Sequence, residues 1–139
     1  MLMKILVLGD VSGNCGVNAV EALLRKLKLE KNADFVIVNG ENSSERGGMD
    51  RSSVKKLFDA GADVVTGGNH SLRNKDIYAM LDENPMLLRP LNYGDACPGS
   101  GYVITDTSFG RVLVMNVIGQ IYMDPADSPF TRRTSSLIA

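Results

Sequence analysis

The chain has 139 residues, 44% of them hydrophobic, which suits one domain with a real core and argues against disorder. Its 15 Lys and Arg nearly balance 16 Asp and Glu, so no global field draws it towards nucleic acid or an acidic membrane. The first apolar run is far too short to span a membrane and lacks a cleavage signal, and Cys15 and Cys97 form neither a CxxC pair nor a disulfide framework, so a cytoplasmic location off the membrane is expected.

Met3 to Leu8 is a nearly unbroken apolar run, as expected of a parallel strand buried on both faces. Val17, Val20, Leu24 and Leu27 then recur at helical spacing, with Glu21, Arg25, Lys26 and Lys28 mostly on the other side. Phe35 to Val38 reads as a second strand, and Ser52 to Ala60 as a second helix capped by Asp50. Asp63 to Thr66 makes a third strand, and Lys75 to Leu81 a third helix. The fold class is therefore α/β, with a β-α-β-α-β-α pattern and a parallel sheet. Beyond Pro85 come shorter strands at Met86 to Leu88, Tyr102 to Thr105 and Arg111 to Val117, in a section expected to be partly antiparallel. Residues 119–139 lack periodicity and read as a loop or frayed tail of the same single domain, 1–139.

In open parallel sheets, ligands bind beyond the carboxyl ends of the strands, where loops converge on one crevice. Here the three strands end in Gly9-Asp10, in Asn39-Gly40-Glu41-Asn42, and in Gly67-Gly68-Asn69-His70, which holds the only histidine. Singly, each has a plain structural reading: Gly-Asp as a turn, Asn-Gly as a hairpin signal, a lone histidine as a satisfied side chain. Together they offer the oxygen and nitrogen donors that suit manganese, iron(II) or magnesium, and a carboxylate can bridge two such ions. Paired ions can carry a phosphate and acidify a water for in-line attack, while an imidazole protonates the leaving alkoxide.

Gly9-Asp10-Val11-Ser12-Gly13, Asn39-Gly40-Glu41-Asn42, Gly68-Asn69-His70, Arg89-Pro90-Leu91-Asn92 and Pro98-Gly99-Ser100-Gly101 occur in the order and rough spacing of the YmdB family, which the chain resembles from its first strand to about Phe130. That family consists of calcineurin-like metallophosphoesterases active on cyclic nucleotides and model phosphodiesters. The resemblance implies a metallophosphoesterase sandwich of which this chain supplies the amino-terminal part, and two divalent ions, iron or manganese ahead of magnesium or zinc. It implies that Asp10, Glu41 and Asn42 bind one ion, that Glu41 bridges to a second also held by Asn69, and that His70 donates the proton. The function implied is a metal-dependent phosphodiesterase with substrates such as 2′,3′-cyclic nucleotides.

Family members are nearly twice as long and draw three further metal-binding histidines from a second half that this chain lacks. Metal retention and activity of the 139-residue species are therefore expected to be impaired, and the rival reading is a catalytically incompetent truncated fragment serving as an assembly or binding module. An uncovered apolar sheet face would exceed what soluble monomers expose, so a partner chain, a repacked fold or a missing segment is expected, with a homo-oligomer as the expected assembly. The end at Ile138-Ala139 reads as a truncation between elements.

Other features carry open alternatives. Gly9, Gly13 and Gly16 read as a turn before the first helix that can also present N–H groups to phosphate. Ser43, Ser44, Arg46, Gly47 and Gly48 form a polar loop, either substrate-lining or a connector. Arg89 meets either a phosphate or a structural partner, and Cys15 sits near a helix start.

Overall fold

The computed structural model describes residues 2–130. Strands β1 (Ile5–Leu8), β2 (Phe35–Asn39), β3 (Val64–Thr66) and β4 (Leu87–Leu88) form a parallel sheet in the order β1-β2-β3-β4. Helices α1 (Gly13–Lys31), α2 (Arg51–Ala60) and α3 (Tyr78–Glu83) make the crossovers. Strands β5 (Tyr102–Thr107) and β6 (Gly110–Met115) form an antiparallel hairpin. The section after Pro85 is thus mixed: β4 extends the parallel sheet, and only the hairpin is antiparallel.

Strand alternation sorts the core into two layers. Val36, Val38, Val65 and Leu87 face the helices, where they pack with Val17, Val20, Leu24, Val54, Leu57 and Leu81. Phe35, Val64 and Leu88 face the other way and pack on Val103 and Val114 of the hairpin. The result is helices on one face of a parallel sheet and a small second sheet on the other, the arrangement expected of the amino-terminal part of the sandwich.

One expectation about β1 fails. Leu6 and Leu8 pack on the helices, but the opposite face is open, with Ile5 46% and Val7 65% exposed. The reason is coverage. The hairpin contacts β2, β3 and β4 and stops short of β1, which lies at the sheet edge. The hairpin's own outer face is also apolar and exposed at Ile104, Leu113 and Met115.

Helix ends follow local chemistry. Asp50 caps α2 with a complete capping box: its carboxylate accepts from the Ser53 N–H at 2.7 Å, and the Ser53 hydroxyl faces the Asp50 N–H at 3.3 Å. Helix α1 begins at Gly13, earlier than its periodicity indicates, and ends at Asn32, whose left-handed φ of 51° is tolerated by that residue type. Gly13 and Gly16 therefore belong to the helix rather than to a turn before it. Helix α3 is shorter than predicted and is preceded by a 3-10 turn, Lys75–Ile77. The Asn74 amide donates to the carbonyls of Gly47 and Met49 and makes no cap, so the first turn tightens.

Of the 119–139 stretch read as loop or tail, residues 119–130 carry no helix or strand, and 131–139 lie outside the described residues. No helix among the described residues is long and apolar enough to cross a membrane.

Candidate functional site

The three polar strand ends are drawn together because the hydrogen-bond ladder continues past the strands. The Val11 N–H donates to the Asn39 carbonyl, that of Gly13 to Asn42, and that of Gly40 to Thr66, all within 2.9 Å. Asn39 stiffens the second loop: its Oδ1 accepts from the Glu41 N–H at 3.1 Å, and its amide donates to the Gly67 carbonyl at 3.4 Å. Asp10 is held at a φ of 29°, in the sparsely populated left-handed region, as strained functional residues often are.

Asn42 is the hub. Its amide donates to Asp10 Oδ1 at 2.8 Å and to Glu41 Oε1 at 3.4 Å, and its Oδ1 lies 2.8 Å from His70 Nδ1. The carboxylates only accept, so the amide nitrogen faces them and the amide oxygen is left for the imidazole. His70 Nδ1 thus carries the proton in this contact, and Glu41 Oε1 lies 3.8 Å from the same nitrogen. Four of the five predicted site residues, Asp10, Glu41, Asn42 and His70, form one connected group. Asn69 is separate from that network: it lines the adjoining cavity of about 710 Å³, and its carbonyl accepts from the Tyr93 hydroxyl at 3.1 Å.

Gly68 makes the cluster possible. A Cβ there would fall inside the Glu41 carboxylate, overlapping Oε2 and Cδ, so this carboxylate occupies the space that any larger residue would take. Sequence reading places Gly68 in the third motif without this role, because the contact joins loops 27 residues apart and carries no local signal. Tyr93 is another residue missed. Burial first, then the charges of Asp124, Cys97 and Glu41, push its phenol above the ordinary range and keep it a donor.

The donor set is two carboxylates, two carboxamides and one imidazole, a composition that suits hard or borderline divalent ions. Among the described residues no three His, Cys, Asp or Glu side chains converge to hold an ion by themselves.

Several other sequence candidates prove structural. The Gly13 and Gly16 N–H groups are occupied by the carbonyls of Asn42 and Ser12, which removes them from phosphate binding. Ser43 is fully buried and pairs with the Ser53 hydroxyl at 2.9 Å. Arg89 is 5% exposed and donates to the carbonyls of Pro98 and Pro90. Asn92 is fully buried and ties the chain at Ile118 to that at Asp127. Both cysteines are free, and Cys15 is exposed in the first turn of α1.

A family model described as YmdB-like protein matches residues 6–138. Over 130 residues the chain is 35% identical to a 2′,3′-cyclic-nucleotide 2′-phosphodiesterase of Bacillus subtilis (strain 168), covering 94% of this chain and 49% of that protein. The fold of the chain matches the crystal structure of a hypothetical protein from Thermus thermophilus with a TM-score of 0.84 at 41% identity, over 92% of this chain and 50% of the other. A structure of a novel phosphatase from Mycoplasma pneumoniae matches with a TM-score of 0.81 at 29% identity, over 92% and 48%. The chain spans about half the length of these relatives.

Proposed function

The chain belongs to the YmdB-like protein family, and from that premise we propose that its strand-end cluster is the amino-terminal part of a metal-dependent phosphodiesterase site for diesters such as 2′,3′-cyclic nucleotides. The observation that carries this reading is the Asn42 hub, which joins Asp10, Glu41 and His70 from three separate loops in one polar group.

In this reading Asp10, Glu41 and Asn42, the last through its carboxamide oxygen, would hold one divalent ion, and Glu41 would also contribute with Asn69 to a second. Iron or manganese fits this mixed set ahead of magnesium, which demands stricter octahedral oxygen geometry, or zinc, which favours nitrogen and sulfur. When bound, such ions neutralise phosphoryl charge and acidify a water. The chain's own contribution is orientation. The Asn42 carboxamide oxygen accepts from Nδ1–H of His70, so a proton passed to a leaving alkoxide would come from Nε2 of the imidazolium form. The 38% exposure of the His70 side chain, on the wall of the cavity, keeps that edge within reach of a ligand.

A second reading rests on a specific observation: the exposed apolar residues Ile5, Val7, Ile104, Leu113 and Met115 favour a module that assembles, with a second copy of the chain as the simplest partner. A cytoplasmic setting suits both readings, since both cysteines are free. Hydrolysis of a bis-aryl phosphate with Mn²⁺, alongside sedimentation, tests them together. Mn²⁺-dependent hydrolysis that Asp10→Ala and His70→Ala abolish supports the enzyme. Hydrolysis that survives both changes sinks the site, and assembly without hydrolysis favours the module.

A further inference from the structure

One cation facing the same cavity is unused by this reading. Arg73 lies one turn past His70, with its N–H donating to the His70 carbonyl at 3.1 Å, and it lines the cavity beside Asn69, His70 and Tyr93. The turn at Gly47 and Gly48 is shaped around it. Both glycines have left-handed φ values, 74° and 79°, and a Cβ at Gly48 would press on Arg73 Cβ at 2.9 Å, while one at Gly47 would meet Nη1 at 2.5 Å. The Asn74 amide fastens that turn through the Gly47 carbonyl at 3.0 Å and the Met49 carbonyl at 2.9 Å. The stem of Arg73 is thus positioned by packing.

The charged end is uncompensated. Among the described residues no carboxylate pairs with the Arg73 guanidinium, although Arg51, Lys28, Lys55 and Lys56 all have acidic partners. A guanidinium presents parallel N–H donors that match two oxygens of a phosphoryl group, and it keeps its charge at any accessible pH. Asp124 is the one acid in the cavity lining among the described residues, and it repels an anion from its own part of the wall.

We propose that Arg73 is the phosphoryl anchor of this site, taking two non-bridging oxygens of a phosphate ester and so setting the ester beside His70. The proposal deepens the phosphodiesterase reading and rests on it for the identity of the ligand. It makes Arg73 a specificity-determining residue for monoanionic and dianionic phosphate esters, nucleotides included, over neutral esters.

The test uses inorganic phosphate as probe, titrated without metal into the 139-residue chain and followed by amide chemical shifts. Expected is saturable binding that perturbs residues 69–73, weakened at least tenfold by Arg73→Ala and by an intermediate factor by Arg73→Lys, which keeps the charge and loses the fork. Absence of phosphate binding by the unaltered chain, or equal affinity in Arg73→Ala, overturns the proposal. Arg73 is exposed, so thermal melting of both variants should match the parent and exclude misfolding. The two levels separate cleanly. Arg73-dependent phosphate binding beside Mn²⁺-dependent hydrolysis that survives Asp10→Ala and His70→Ala leaves the anchor standing and removes the phosphodiesterase reading of the cluster. Hydrolysis whose KM is unmoved by Arg73→Ala leaves the enzyme standing and removes the anchor.

Discussion

Gly68→Ala separates the site from the fold. The added methyl group overlaps Glu41 Oε2 and Cδ, and restoring van der Waals contact of about 3.5 Å requires the carboxylate to retreat by about 2 Å. Metal–ligand distances tolerate only about 0.2 Å, so on the proposed reading Glu41 would be lost as a ligand. Loss of an outer-shell partner typically costs about 10- to 100-fold in metal affinity, and eviction of a bridging carboxylate should cost at least as much. Stability should barely change. Gly68 does not have a positive φ, so alanine is conformationally allowed there and gains about 0.4–1 kcal/mol through the unfolded chain. The opposing losses are the long 3.4 Å contact from Asn42 to Glu41 and the 3.8 Å approach of His70 to the same carboxylate, together on the order of 1 kcal/mol because both are long. Mn²⁺ affinity by electron paramagnetic resonance, read with thermal melting, measures both. The expected result is at least tenfold weaker binding at an unchanged melting temperature, with no further loss when Gly68→Ala is added to Glu41→Ala. Parental Mn²⁺ affinity in Gly68→Ala would refute the placement of Glu41.

Tyr93→Phe removes the hydrogen bond to the Asn69 carbonyl and should destabilise by about 0.5–1.5 kcal/mol in urea melts. Because burial raises the Tyr93 phenol, its contribution is complete below the ordinary tyrosine range and is lost as pH rises through the higher folded value; the difference spectrum against Tyr93→Phe should show one late-titrating phenol, and a midpoint at the ordinary value would contradict the burial. Asp50→Ala should cost about 1 kcal/mol at neutral pH through loss of the α2 cap. Burial pulls the Asp50 carboxyl upward most strongly, but hydrogen bonds from Ser53, Ser44 and Ser52 together outweigh it and leave the group below the ordinary range. Its contribution is therefore present above the unfolded pKa and fades as pH falls through the folded one, so a stability gap that persists unchanged to about pH 2 would sink this account. Ile104→Thr with Leu113→Thr should leave the melting temperature within a few degrees while reducing self-association in sedimentation, since both side chains are nearly half exposed on the hairpin's outer face.

Periodicity made most elements legible before the structure: Val17, Val20 and Leu24 mark the buried stripe of α1, and Asp50 caps α2 as its residue type implies. Boundaries were less legible where tertiary contacts decide them, as when Asn74 spends its amide on the Gly47 turn and leaves a 3-10 start to α3. The exposure of Val7 has no sequence signal, because a run such as Met3 to Leu8 says how apolar a strand is and not which neighbours reach it. Strand-end polarity pointed to Asp10, Glu41, Asn42 and His70, which the loops bring into one group. It was silent on Gly68, Arg73 and Tyr93, whose relations to Glu41, Gly47 and Asn69 span 27, 26 and 24 residues and exist only in three dimensions.

The central claim, that residues from three strand ends share divalent ions, is tested most directly by adding Mn²⁺ to the isotopically labelled chain and reading which resonances broaden. The account predicts that Asp10, Glu41, Asn42 and Asn69 broaden first, with His70 close behind, and that Asp10→Ala removes the effect. Broadening centred elsewhere, or uniform across surface carboxylates, would contradict it.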